Sequence, residues 1–171
     1  MSDDGFAARA AAGDGAAFGR LVQQHQSSLR GFLLRLTRGD KALADDLAQD
    51  SFLEAWRKIR QFRGEGSFRS WLARIAYTRY LMAARRKKLE IVSDDADSAP
   101  SCGGLEPGVR FDLERCLARL ALGERATLTL CYAMGYSSEE AADILEMPVG
   151  TVKSHVLRGR RKLLAMLGDA A

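Results

Sequence analysis

Cysteine and proline are scarce in this chain, with three of each in 171 residues, and histidine and tryptophan are scarcer still, with two of each. Cys102, Cys116 and Cys131 show no metal-type spacing, which excludes a disulfide scaffold and a zinc module of the paired-cysteine kind. His25 and His155 stand on different predicted helices. No cluster of His, Cys and carboxylate offers a metal centre, and no nucleophile is paired with a base. RGEGS lacks the lysine spacing of a phosphate-binding loop. No apolar run approaches the roughly 18 residues of a membrane-spanning helix. The first 25 residues carry Asp3, Asp4 and Asp14 and no unbroken apolar stretch, unlike a secretory leader. The expectation is a reduced cytoplasmic protein with no metal, no cofactor, no membrane insertion and no enzymatic activity of its own.

Apolar residues make up 47% of the chain and charged residues 28%, enough for packed cores and too apolar for wholesale disorder. The charge is unevenly spread. Residues 1–88 hold 17 Lys/Arg against 9 Asp/Glu, residues 89–108 hold 5 acids and no cation, and residues 109–171 hold 9 against 8. The middle segment, LEIVSDDADSAPSCGGLEPG, is acidic, contains Gly103 and Gly104, and is punctuated by Pro100 and Pro107. That is a linker composition. It separates an N-terminal unit, 1–88, from a C-terminal unit, 109–171. Units of this size bury only about 60% of their unfolded surface, so docking on something larger suits them. Basic-ended segments around an acidic one point to an anionic polymer as partner. Cys102, in the linker, reads as exposed, either an incidental thiol or a redox-sensitive one.

Periodicity is helical in both units, and no segment alternates like a strand, so the fold class is all-α in two small domains. Phe18, Leu21, Val22, His25, Leu29, Phe32, Leu33 and Leu36 follow three-and-four spacing, with Asp14 as start signal and Gly39 as stop. A second helix places Ala44, Leu47, Ala48, Phe52, Ala55 and Ile59 inward. FRGEGS, residues 62–67, is a glycine turn. A third helix turns Phe68, Leu72, Ile75 and Met82 inward. Beyond the linker, Phe111, Leu113, Leu117 and Leu120 mark one helix and Ala126 to Met134 another, ended by Gly135. Cys116 and Cys131 read as small core residues.

The most specific local signal is SSEEAADILEMPVGTVKSHVLRGRRKL, residues 137–163. Ser137 and Glu140 form a capping box. Ala141, Ile144 and Leu145 face inward, Glu146 and Met147 make the turn, and Pro148 suits the first position of the next helix. Val149, Val152, Val156 and Leu163 form that helix's buried stripe. Its other face presents Thr151, Ser154 and Arg158, flanked by Lys153, His155 and Arg161. From Val149 to Leu167 there are five Lys/Arg and no acid. Short polar groups near a helix start, with cations behind, suit a major groove: the first reach base edges, the second phosphates.

The N-terminal unit carries DDLAQDSFLEAW, residues 45–56, with Asp46, Gln49, Asp50 and Leu53 outward. Such a face is either solvated or the seat of a partner with a basic, partly apolar surface. From Phe68 to Lys88 there are seven Lys/Arg and no acid. Tyr77 and Tyr80 are expected outward near Arg74, and aromatics among cations suit unstacked bases and a single-strand backbone. The glycine turn before them could offer backbone groups to an extruded base. Trp71 reads as core.

DDLAQDSFLEAWRKIRQFRGEGSFRSWLARIAY, together with the 137–163 motif, resembles the two-domain bacterial sigma factors of the extracytoplasmic-function (ECF) type, from about Phe6 to Leu167 apart from the linker. The resemblance implies that 1–88 is region 2 and 109–171 region 4. It implies that Asp46, Gln49, Asp50, Leu53 and Trp56 dock on the clamp helices of core RNA polymerase, which decides the acidic face in favour of a partner. It implies that Phe62, Arg63, Gly64, Ser67, Arg69, Arg74, Tyr77, Thr78 and Arg85 melt and hold the −10 promoter element. Thr151, Lys153, Ser154, His155, Arg158 and Arg161 would read the −35 element, with region 4 on the polymerase flap. The acidic linker would thread toward the active-site and RNA-exit channel. An anti-sigma factor is a further implied partner, and a stress response the implied setting. The chain departs from the family pattern at Thr78, where asparagine is common, at Leu122-Gly123-Glu124-Arg125, which lacks a proline, and at His155, often arginine. Promoter preference therefore does not carry over. The competing readings are a stand-alone helix-turn-helix regulator and an adaptor without a DNA role; the linker and the basic third helix favour the sigma factor.

Overall fold

A computed structural model describes the backbone of residues 2–64, 66–93 and 109–168, and the side chains of these apart from 90–93 and 109–112. Among the described residues there are eight α-helices and no strand: α1 (Asp3–Ala11), α2 (Gly15–Leu36), α3 (Lys41–Lys58), α4 (Phe68–Ser93), α5 (Val109–Arg119), α6 (Leu122–Leu128), α7 (Ser138–Leu145) and α8 (Val149–Gly168). The all-α expectation holds. The chain gathers into two compact units, one of Met1–Leu33 with Asp45–Ala96, the other of Leu34–Ala44 with Asp97–Ala171. The segment 94–108, with Cys102, and the Phe111 side chain lie outside the described residues. Leu89–Ser93, read as linker, continues α4 instead.

In the first unit, local chemistry sets the helix ends. Asp14 Oδ1 accepts from the Ala17 amide at 3.0 Å and starts α2. That bond, with the Arg9 guanidinium, holds the Asp14 carboxyl below its ordinary range. Past the end of α2, where Leu34–Ala44 belongs to the second unit, Gly39, at φ +90°, donates its amide to Leu34 O at 2.8 Å, a left-handed closure that glycine makes without strain. The core is built from Leu21, Leu29, Phe32 and Leu33 of α2, Ala55 of α3, and Phe68, Leu72 and Ala76 of α4. Each such Leu or Phe contributes about 1.5–3 kcal/mol over an exposed position. Helix α1, which periodicity did not reveal, packs Ala7 and Ala10 into this core against α4 and the 3-10 turn Ile59–Gln61. Asp3 Oδ2 lies 2.9 Å from Nε2 of the buried His25, tying α1 to α2.

One inward and one outward assignment on α4 are corrected. Met82 is 56% exposed, and from Ala84 to Leu89 every side chain is exposed. Tyr77, expected outward, is 7% exposed, because Phe68, Leu72, Ala73, Ala76 and Tyr77 continue a single buried stripe at four-residue steps. Burial and the neighbouring Tyr80 push the Tyr77 hydroxyl pKa up.

In the second unit, α6 begins at Leu122, four residues before the expected start, and runs into a π-helical turn, Thr129–Ala133. Gly135, at φ +72°, ends it as expected. Helices α5, α6 and α8 share a core of Leu117, Leu120 and Leu128, onto which Val156, Leu163 and Met166 pack half-buried. Cys116 is buried there and Cys131 is half-buried. Gly159 of α8 permits the close approach: a Cβ on it would stand 2.8 Å from Leu128 Cδ1 and 3.2 Å from Glu124 Cβ.

Candidate nucleic-acid interface and docking face

The hairpin of α7 and α8 forms from its own caps. Ser137 Oγ accepts from the Glu140 amide at 3.1 Å, while Glu140 Oε2 accepts from the Ser137 amide at 2.8 Å. Glu146 turns left-handed at φ +53°, and Pro148, one residue earlier than expected relative to the helix, precedes α8 and accepts from Thr151 and Val152 through its carbonyl. Val152 is fully buried, whereas Val149, Val156 and Leu163 are only partly so. The opposite face exposes Lys153, Ser154, Arg158 and Arg161, with Thr151 and His155 half-buried beside them. All six residues predicted for this surface therefore fall on α8.

Three of them are engaged within the protein, Lys153 by Glu139 at 4.0 Å and the other two by each other. Nη2 of Arg158 lies 3.1 Å from His155 Nδ1, and Arg158 Nε lies 3.9 Å from Oε1 of Glu124. Glu124, buried on α6, accepts from Lys162 Nζ at 2.8 and 2.9 Å. Burial opposes its charge, but Lys162, the Ala121 backbone and Arg158 outweigh that and leave its carboxyl pKa lowered. Sequence reasoning missed Glu124 and Lys162, which meet only because α6 and α8 pack together.

In the first unit the acids of α3 divide into two kinds. Asp45 pairs with Arg30, and Glu54 with Lys58 at 2.8 Å and Arg79 at 2.7 Å. The Lys58 hydrogen bond, joined by Arg79, outweighs burial and lowers the Glu54 pKa. Asp46 and Asp50 stay exposed with Gln49. Leu53, 55% exposed, and Trp56, 39% exposed, follow on the same face. Trp56 rests on Phe18 with ring centroids 5.0 Å apart, and a groove lined by Phe18, Val22, Phe52, Leu53 and Trp56 opens between α2 and α3. The five predicted docking residues are thus brought together, and Phe18, Val22 and Phe52 extend them.

The residues predicted for the −10 element are less uniform. Arg63, Gly64, Ser67, Arg74, Thr78 and Arg85 are exposed and Arg69 is half-buried. Ser67 Oγ caps α4 by accepting from the Ser70 amide at 3.1 Å, and Thr78 Oγ1 donates to Arg74 O at 3.0 Å. Gly64 and Gly66, at φ +73° and +87°, make the turn. Phe62 packs on Phe68 and Trp71, with centroids 5.8 and 5.4 Å away, so this ring closes the unit beneath the turn. Tyr77 lies in the core, which removes it as a base platform.

Two all-α units, the second ending in a capped helical hairpin with a basic face, place the chain among the helix-turn-helix proteins. Residues 21–90 match the family Sigma-70 region 2, and residues 110–163 match Sigma-70, region 4. The chain is 32% identical to the ECF RNA polymerase sigma-E factor of Haemophilus influenzae over an alignment of 180 positions, covering 95% of this chain and 94% of that one. It is 34% identical to the ECF RNA polymerase sigma factor SigM of Mycobacterium tuberculosis, covering 98% and 85%. Among solved structures it resembles the sigma factor RpoE of Bartonella quintana, crystallised with the anti-sigma factor NepR, at 29% identity and a TM-score of 0.80 over 88% of this chain and 96% of that one. It also resembles CnrH in complex with the cytosolic domain of CnrY, at 29% identity and a TM-score of 0.74 over the whole of both chains. The chain belongs to the ECF sigma factors, the subunits that give bacterial RNA polymerase its promoter specificity. Among the described residues, no helix is long and apolar enough to cross a membrane.

Proposed function

We propose a division of labour at residue level within this sigma factor. Asp46, Gln49, Asp50, Leu53 and Trp56 dock on the clamp helices of core polymerase. Phe62, Arg63, Gly64, Ser67, Arg69, Arg74, Thr78 and Arg85 form the −10 surface, Phe62 by supporting the turn. Thr151, Lys153, Ser154, His155, Arg158 and Arg161 form the −35 surface, and region 4 seats on the flap. Residues 1–93 and 109–171 act as the two working domains, with 94–108 as their tether. The protein works in the cytoplasm, does no chemistry of its own, and is held in check by an anti-sigma factor, as the complexes of its structural relatives suggest.

The observation that carries the docking assignment is the sorting of charge on α3. Two acids are neutralised internally, while Asp46 and Asp50 remain exposed beside Leu53 and Trp56. Exposed large apolar groups rimmed by uncompensated charge suit a partner with a basic, partly apolar surface. Asp50→Arg tests it. The variant is expected to keep its helical circular dichroism and melting temperature yet fail to co-purify with core enzyme, and to lose promoter-specific initiation in reconstituted transcription. Undiminished co-purification would remove this docking face.

A further inference from the structure

Gly123 stands second in α6, where alanine would raise helix propensity by roughly 1 kcal/mol. What occupies the space of its missing side chain is the ring of His155, from α8. A Cβ on Gly123 would lie 2.7 Å from His155 Nε2 and 2.8 Å from its Cε1, closer than real Cβ contacts come. The backbone there is ordinary helix, so it is this ring, rather than backbone strain, that the glycine accommodates.

The other edge of the ring faces Arg158, whose Nη2 lies 3.1 Å from His155 Nδ1. Arginine has only donors, so in this contact Nδ1 is the acceptor. Glu124 Oε1, 3.9 Å from Arg158 Nε, flanks the guanidinium on its other side. Of the five N–H donors, these contacts engage one on Nη2 and face Nε. The Nη1 pair and the second Nη2 hydrogen are left for a ligand.

We propose that His155 is a positioning residue for Arg158 and that Gly123 admits it. The seated ring fixes the direction in which Arg158 meets one base edge, so the Gly123–His155 pair determines base specificity at that position. The inference rests on the reading of α8 as the −35 surface and deepens it. Two departures from the family pattern, a glycine on α6 and a histidine on α8, become one matched feature. An unrestrained Arg158 would still meet phosphate; the restraint matters for a bidentate base contact, which fails when the fork points wrongly.

The test uses holoenzyme reconstituted from core polymerase and the full chain, on promoters selected from a randomised −35 library and their single-base substitutions. Arg158→Ala is expected to lose discrimination at one base, by about tenfold. His155→Ala should lose most of that discrimination at the same base while keeping it elsewhere. His155→Asn sets Oδ1 where Nδ1 stood but does not reach Gly123, and should restore it. Gly123→Ala should reproduce the His155→Ala loss in the native background and change nothing in the His155→Asn background. If Arg158→Ala loses discrimination while His155→Ala and Gly123→Ala keep it, or if Asn fails to rescue, the positioning role is overturned and the −35 reading stands. If Arg158→Ala changes discrimination nowhere, base reading by Arg158 and the positioning role fall together.

Discussion

A buried carboxylate with a cation on its surface side is a pH-dependent strut, and Glu124 with Lys162 is one. The folded-state pKa of Glu124 lies below its ordinary value of 4.5, so its contribution to stability is complete above that value. It is lost as pH falls through the lowered folded value. Glu124→Gln should cost about 1–2 kcal/mol near neutrality, since it leaves Lys162 with a neutral acceptor. The difference in melting temperature between native chain and variant, followed by circular dichroism from pH 7 to 3, should shrink as acid is added. A constant difference would place the strut elsewhere. Glycines give a second test at this scale. Gly159→Ala drives a methyl to 2.8 Å from Leu128 Cδ1, a buried neighbour, and to 3.2 Å from Glu124 Cβ, which is anchored to α6. Overpacking of about 1–3 kcal/mol outweighs a propensity gain of about 1, so urea unfolding should show a net loss. Gly19→Ala on the exposed face of α2, with nothing within 4 Å, should instead gain up to about 1 kcal/mol.

At the scale of elements, the α7–α8 hairpin depends on its cap. Ser137→Ala removes one half of a reciprocal box and should cost about 1 kcal/mol, read as a lower melting midpoint. The same box shows what was legible beforehand. Ser137, Glu140, Val152 and the face bearing Ser154 and Arg158 follow from rules that act within one or two turns, and the structure keeps them. So do Asp14, Gly39 and the face of α3 from Asp46 to Trp56. The failures are of another kind. Its arginine neighbours make Tyr77 look like a platform, but the stripe through Phe68, Leu72, Ala73 and Ala76 carries it inward. Tyr77→Phe should therefore leave promoter opening unchanged, and Tyr77→Ala should lower stability by about 3 kcal/mol. Helix α1 leaves no periodic signal because Ala7 and Ala10 are too small to mark a face, and its place is set by packing on α4 and by the Asp3–His25 contact 22 residues apart. The division of the α3 acids depended on Arg30 and Arg79, which other helices deliver. Gly123 and His155 lie 32 positions apart, and local periodicity says nothing of such a meeting.

Across the whole molecule, a net charge of +4 hides a basic α8 and a basic α4 among acidic segments. Affinity for a polyanion depends on which cations are free to displace counterions, not on the total. Arg161 on α8 and Arg85 on α4 are exposed and appear in no ion pair among those of the described residues, whereas Lys162 is already held by Glu124. Each phosphate contact contributes nearly one to the slope of log affinity against log salt. Holoenzyme carrying Arg161→Gln or Arg85→Gln should therefore bind promoter DNA with a slope lowered by about one and with base preference unchanged. Lys162→Gln should leave the slope alone and instead lower the melting temperature, because its charge is engaged inside the fold. A filter-binding series over salt concentration separates the two outcomes. A full unit of slope lost with Lys162→Gln would mean that the strut opens on DNA and that the ammonium transfers from Glu124 to phosphate.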